Sequence, residues 1–211
     1  FLTLSGLLIF HGVVVYGLLL KATTGLSPGI LRSKMRRVWA FAFSTASSGA
    51  TLPVTLRTVE KRLGVPKSVA GFAIPLGATV NMDGTAIMQG VATVFIAQVY
   101  GIELSAMQLL MVILTATLAS IGTAAVPGVG LITLSLVLTQ AGLPVEGVAL
   151  IIGVDRLLDM IRTAVNVTGD ATVATIVAHR EGQLDETIYN DPHADSDVGL
   201  EAAAAETSEV P

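Results

Sequence analysis

The sequence predicts an all-α membrane protein in which transmembrane helices alternate with two re-entrant helical hairpins of opposed orientation, an inverted repeat. Three observations predict it. The 211 residues are 52% hydrophobic and 13% charged, about half the charge of a soluble domain. The apolar stretches are of two kinds, long ones and ones split at mid-length by Ser, Thr, Gly and Pro. The basic residues gather at one end of these stretches.

Residues 1–21 form the first span, because Phe1 to Leu20 supplies the ~20 uncharged apolar residues that crossing requires and Lys21 ends it. Residues 30–64 split at Ser44 to Pro53, and residues 106–141 split at Ser120 to Gly128. The resulting pieces of about 12–15 residues cannot cross ~30 Å at 1.5 Å per residue. Each pair must therefore enter and leave on one side, as hairpin 1 and hairpin 2. Irregular backbone at membrane depth is tolerated only where it is buried in protein or lines a wet cavity, so both tips point to a site. Residues 66–100 make a span broken at Asn81-Met82-Asp83-Gly84-Thr85, and residues 145–180 make the last span.

The charges set the topology. Residues 1–180 hold twelve bases against seven acids, and residues 181–211 hold nine acids with no Lys or Arg, which together give the net −4. Ten of the twelve bases flank the first span's end, the feet of hairpin 1, the start of the third segment and the end of the last. The positive-inside rule assigns that face to the cytoplasm. Hairpin 1 then enters from the cytoplasm and hairpin 2 from outside, and the interface of two such opposed units near the midplane is where a substrate sits. Residues 181–211, with Asp195-Ser196-Asp197 and the alanines 202–205, read as a disordered acidic cytoplasmic tail. The chain opens at Phe1 inside an apolar run with no charged leader region, and so reads as the later part of a longer protein rather than a signal peptide.

Composition removes other functions. There is no cysteine, which excludes disulfide scaffolds and thiol chemistry. His11, His179 and His193 lie too far apart for a metal-ligand motif, and no basic cluster interleaves with aromatics, so no nucleic-acid partner is indicated.

Ionisable groups at membrane depth imply function by default. The last span carries Asp155, Arg156, Asp159, Arg162, Thr163, Asn166 and Asp170 within a sector of about 120°, one inward stripe. Arg162 is a permanent cation whose planar fork matches a carboxylate. Asp159, one turn earlier, suits an ammonium group, and Asn166, one turn later, can donate to a second carboxylate. The set outlines an acidic amino acid. The bland alternative is an internal Asp159–Arg162 pair that only neutralises itself. Asn81, Asp83 and Asp170 point to oxygen-liganded hard cations, against the plainer readings of a helix cap for Asp83 and an end charge for Asp170.

These motifs resemble those of the sodium-coupled glutamate/aspartate (dicarboxylate/amino acid:cation) symporters. The likeness covers residues 1 to about 180 and rests on the Ser-rich tip, Asn81 to Thr85, Ser120 to Gly130, and Asp159 to Asp170. It implies the transport-domain half of a glutamate-transporter-like fold in the plasma or inner membrane, lipid around it, a homotrimer in the full-length protein, and hairpin 2 as extracellular gate. It implies an acidic amino acid as substrate. Asp159 would take its ammonium with Thr163 and the Val126 carbonyl, Asn166, Ser47 and Ser48 its α-carboxylate, and Arg162 its side-chain carboxylate, with Thr85 and Gly130 nearby. Two or three co-transported Na⁺ ions are implied, and no organic cofactor. One lies among Gly77, Asn81, Asn166 and Asp170, a second among Thr79, Ser120, Ile121 and Thr123, and a third at Asn81 and Asp83. The family's additional Arg is missing, since its two usual positions are Ala46 and Met160; Arg156 is the candidate to replace it.

The nearest rival is a proton- or sodium-coupled C4-dicarboxylate symporter of the same fold, for which an ammonium partner such as Asp159 is unnecessary. An intramembrane aspartyl protease needs two carboxylates sharing a proton without a cation beside them, which Arg162 opposes. A plain pore fits poorly with groups that match one solute so fully.

Overall fold

The computed structural model describes residues 1–194, all of whose regular elements are helical. α1 (Leu2–Phe10) and α2 (Tyr16–Thr24) are joined by a π-helical turn at His11–Val15 into 23 continuous residues. At 1.5 Å per residue that is about 34 Å, and it is the one helix among the described residues long and apolar enough to cross a membrane.

α3 (Pro28–Thr45) starts with Pro at its first turn, where a missing N–H costs nothing. It stops at Ala46, a non-glycine residue held in the left-handed region at φ 50°. α4 (Ser48–Lys61) begins at once, capped by Ser47, whose Oγ accepts from the Ala50 amide at 3.1 Å. The chain thus reverses in two residues. α5 (Lys67–Val80) gives way to α6 (Asp83–Val99) at Asn81 and Met82, both outside helical geometry. The break lies there and not at Gly84, which already belongs to the first turn of α6.

α7 (Ala106–Ser120) opens with a capping box between Ser105 and Gln108. An irregular stretch from Ile121 leads to Gly128, left-handed at φ 76°, and then to α8 (Val129–Ala141). After a 3₁₀ turn, α9 (Ala149–Arg180) runs for 32 residues; its interior charges, not its length, set it apart from α1–α2. α10 (Glu186–Asn190) follows.

Two apolar cores share α9. One joins Leu8, Ile96, Leu134 and Val137 to Ile151, Leu158 and Val165, from its start to its middle. The other joins Met35, Val59 and Ile74 to Val167, Ala171, Ala174 and Ala178 of its second half. The polar stripe lies where the cores meet. The outside is apolar: Leu2 is 84% exposed, Ile132 72% and Phe72 69%, a surface that asks for lipid or protein rather than water.

The expectation of a disordered strip from residue 181 fails over 181–194. This segment folds back on α3 and on the turn that follows α4. Tyr189 is fully buried and donates its hydroxyl to the Ser27 carbonyl at 2.9 Å. The Asp185 amide donates to Gly64 O at 2.9 Å, and Arg62 Nε donates to Ala194 O at 3.2 Å. The Lys34 ammonium, 1% exposed, donates to the carbonyls of Arg62 and Ile188 at 2.6 Å and of Tyr189 at 2.7 Å. Net acidity alone misread the segment, because its bonds run through main-chain carbonyls and one aromatic ring. Asp195-Ser196-Asp197 and the alanines 202–205 lie outside the described residues.

Candidate functional site

The stripe on α9 is buried at Asp155, Asp159, Arg162, Thr163, Asn166 and Asp170. Arg156 is the exception and is exposed. It sits at the margin of that sector, about 100° round the helix from Asp155, and packing leaves it outside the buried stripe.

Arg162 Nη2 donates to Asp159 Oδ1 at 2.6 Å. The other carboxylate oxygen, Oδ2, accepts the Gly128 amide at 2.8 Å, so the second tip is docked on the same carboxylate. The internal pair of the bland reading is therefore present, yet it leaves the guanidinium unfinished, because Arg162 Nη1 is buried without a hydrogen-bond partner. Gly130 is glycine for a steric reason: a Cβ there would collide with the guanidinium. The Arg162 guanidinium thus packs against the start of α8.

The tips also touch each other. The Ala125 carbonyl accepts from Ser47 Oγ at 2.7 Å and from the Gly49 amide at 3.1 Å. Beneath them Ser48, Thr85, Val126, Asp159, Arg162, Thr163 and Asn166 line a cavity of about 20 Å³, space for a water or two. Asn166 is fixed from α6, accepting the Gly84 amide at 2.9 Å and donating to Thr85 Oγ1 at 3.4 Å.

A second cluster lies one turn further along α9. Asn81 Nδ2 donates to Asp170 Oδ1 at 3.0 Å, and Gly77 packs so closely on Asp170 that a Cβ would clash with its carboxylate. Asp170 is 3% exposed and its hydrogen bond comes from an uncharged amide; a buried carboxylate so placed favours a cation. Gly122 N donates to Thr79 O at 2.8 Å, which brings the second tip to the end of α5. There the hydroxyls of Thr79, Ser120 and Thr123 are bonded to the nearby main-chain carbonyls of Leu76, Thr117 and Ala119, and the Ile121 side chain is exposed. Asp83 bonds to the first span. Its Oδ2 accepts the Tyr16 hydroxyl at 2.9 Å and lies 3.1 Å from His11 Nε2, in the π-helical turn.

Sequence reasoning missed Gly128 and Ala125, which act through backbone groups that no side-chain pattern reveals. It also missed Tyr16 and His11; the one available signal was an imidazole inside an otherwise uncharged apolar span.

Broken helices around a buried cation and its carboxylates define a class of helical membrane carrier. Residues 1–180 match the sodium:dicarboxylate symporter family, and the chain belongs to it. As a member it is an integral membrane protein of a transporter family and not an enzyme. It is 52% identical over 176 residues to an "Excitatory amino acid transporter" of Caenorhabditis elegans, covering 83% of this chain and 35% of that protein. It is 44% identical over 193 residues to "Excitatory amino acid transporter 2" of Homo sapiens, covering 92% and 34%, and 46% identical over 172 residues to "Excitatory amino acid transporter 1" of Homo sapiens, covering 82% and 32%. The chain spans about a third of the length of the curated relatives it matches.

Proposed function

We propose that this chain is the substrate-handling half of a secondary active symporter that takes up glutamate or aspartate with Na⁺ by alternating access. The observation that carries the reading is Arg162, a buried guanidinium with an unpartnered Nη1, beside Asp159 and beneath two tips joined through Ala125. Asp159 receives the ammonium, with Thr163 and the Val126 carbonyl; Asn166, Ser47 and Ser48 receive the α-carboxylate; Arg162 receives the side-chain carboxylate near Thr85 and Gly130. The names of the relatives support an acidic amino acid. The dicarboxylate alternative is not favoured, because Asp159 then has no cation to meet beyond Arg162.

In this reading α3–α4 and α7–α8 are re-entrant hairpins of opposed orientation. The meeting of two cores on one long helix supports an inverted repeat, each core holding one hairpin. The second tip is the outer gate: lifting it frees the Asp159 oxygen held by Gly128 and opens the cavity. Two or three Na⁺ ions travel as cargo, at Gly77, Asn81, Asn166 and Asp170, at Thr79, Ser120, Ile121 and Thr123, and at Asn81 with Asp83. The assembled protein is a homotrimer in lipid with the C-terminal segment in the cytoplasm.

The test is uptake of labelled aspartate by the full-length protein in proteoliposomes, with an inward Na⁺ gradient or with choline in its place. Uptake is expected only with Na⁺, and Arg162→Ala is expected to abolish it. Undiminished aspartate affinity in that variant overturns the assignment.

A further inference from the structure

The two helical hairpins are fastened differently at their feet. Those of α7–α8 meet through Gln108 Nε2, which donates to Ala141 O at 3.4 Å. Those of α3–α4 are joined by Arg62 Nη1, which donates to Lys34 O at 3.2 Å, and are then gripped by a third piece of chain, residues 183–191. On the α3 side the fully buried Tyr189 donates its hydroxyl to Ser27 O at 2.9 Å. The carbonyls of Ile188 and Tyr189 accept from the Lys34 ammonium at 2.6 and 2.7 Å. On the α4 side the Asp185 amide donates to Gly64 O at 2.9 Å, and a Cβ at Gly64 would collide with the Asp185 carbonyl.

The gripping segment is anchored in turn on α9. The chain reverses at Gly182, left-handed at φ 66°. The amides of Gln183 and Leu184 then both donate to Ala178 O, at 2.9 and 3.1 Å, and His179 Nε2 lies 3.4 Å from Glu186 Oε1. The feet of α3–α4 are therefore bonded to the helix that carries Asp159, Arg162 and Asn166. For either foot to part from α9, a buried aromatic ring must be exposed or a buried ammonium must lose its acceptors, and both are costly.

We propose that residues 183–191 are a clasp that keeps the α3–α4 hairpin shut on α9 while the second tip moves, so that with the clasp released this hairpin becomes a second opening through which substrate leaks. This rests on the reading of the second tip as the gate of an acidic amino acid carrier. The clasp touches no group assigned to the substrate. It governs how well a bound solute is retained and leaves affinity alone.

The experiment uses the full-length protein in proteoliposomes loaded with labelled aspartate, with choline in place of Na⁺ on both sides, and reads efflux per inserted carrier. Tyr189→Ala is expected to raise efflux at least about tenfold, and Tyr189→Phe, which keeps the ring but loses its hydrogen bond, about threefold. KM for Na⁺-driven uptake is expected to stay at the wild-type value in both. In a Lys34→Met background Tyr189→Ala is expected to add less than about threefold, because one clasp is opened from either side. Hydrogen exchange of the Leu63 and Val65 amides, bonded to Thr58 O and Val59 O, is expected to quicken in Tyr189→Ala, while that of Leu143, bonded to Leu138 O, holds its rate. Wild-type efflux in Tyr189→Ala, quickened exchange without added efflux, or a raised KM overturns the proposal. Should the Ala variant fail to insert, wild-type efflux in Tyr189→Phe overturns it. If the wild-type protein takes up no aspartate with Na⁺, the underlying reading fails instead, so the two failures are distinguishable.

Discussion

Lys34 and Arg162 are both cations removed from water, 1% and 2% exposed, and they are treated in opposite ways. Lys34 spends all three donors on the carbonyls of Arg62, Ile188 and Tyr189, and its ammonium sits 5.8 Å from the Tyr189 ring centre. Nothing is left over, and the result ties the C-terminal segment to the feet of α3 and α4. Arg162 meets a carboxylate with one terminal nitrogen while the other has no partner. A buried donor left unmade costs about 1–3 kcal/mol, which is the ground on which Arg162 carries the proposed function. The contrast separates a structural cation, neutralised locally by dipoles, from the proposed binding cation, kept partly unsatisfied.

The sharpest way to break the comparison is Arg162→Ala. It leaves Asp159 buried without its cation, so loss of aspartate uptake comes with destabilisation of about 3–5 kcal/mol, read by thermal unfolding in detergent. Gly130→Ala sharpens the same point without touching charge. Its methyl meets the guanidinium, so the second tip no longer seats, and aspartate affinity is expected to fall at least tenfold by equilibrium binding. Lys34→Met belongs to the other side. It costs about 3 kcal/mol from lost charged hydrogen bonds, and KM per folded carrier is expected to stay at the wild-type value; a raised KM would erase the distinction drawn here.

The smallest effect concerns the cap of α10. Asp185 accepts from the Thr187 hydroxyl and amide and the Ile188 amide, led by the hydroxyl, and these hold its carboxyl below the usual carboxylate range. A depressed folded value means the cap's contribution is complete above that range and is lost as pH falls through it. Hydrogen exchange at Thr187 and Ile188 is expected to quicken on acidification, and Asp185→Asn to remove that dependence.

Much of this molecule can be read from residue order because membrane solvation is unforgiving. Short apolar pieces around Ser44 to Pro53 and Ser120 to Gly128 lead to two tips, and the spacing Asp159, Arg162, Thr163, Asn166, Asp170 leads to one buried face. Where the reading went astray, the cause was local geometry. Arg156 lies at the margin of the stripe, and packing alone decides that it faces out. The 181–194 segment looks like solvated acid by composition, yet a single Tyr and a Lys 155 residues away fasten it.

Residue order by itself determined the helical class, the breaks and the candidate polar face, since helical period and the cost of burying charge act along the chain. Only the tertiary structure decided that Gly128 and Ala125 close the site, and that Asp83 meets Tyr16 and His11. Those pairings join backbone groups and distant helices, and their energy exists only once the helices have packed.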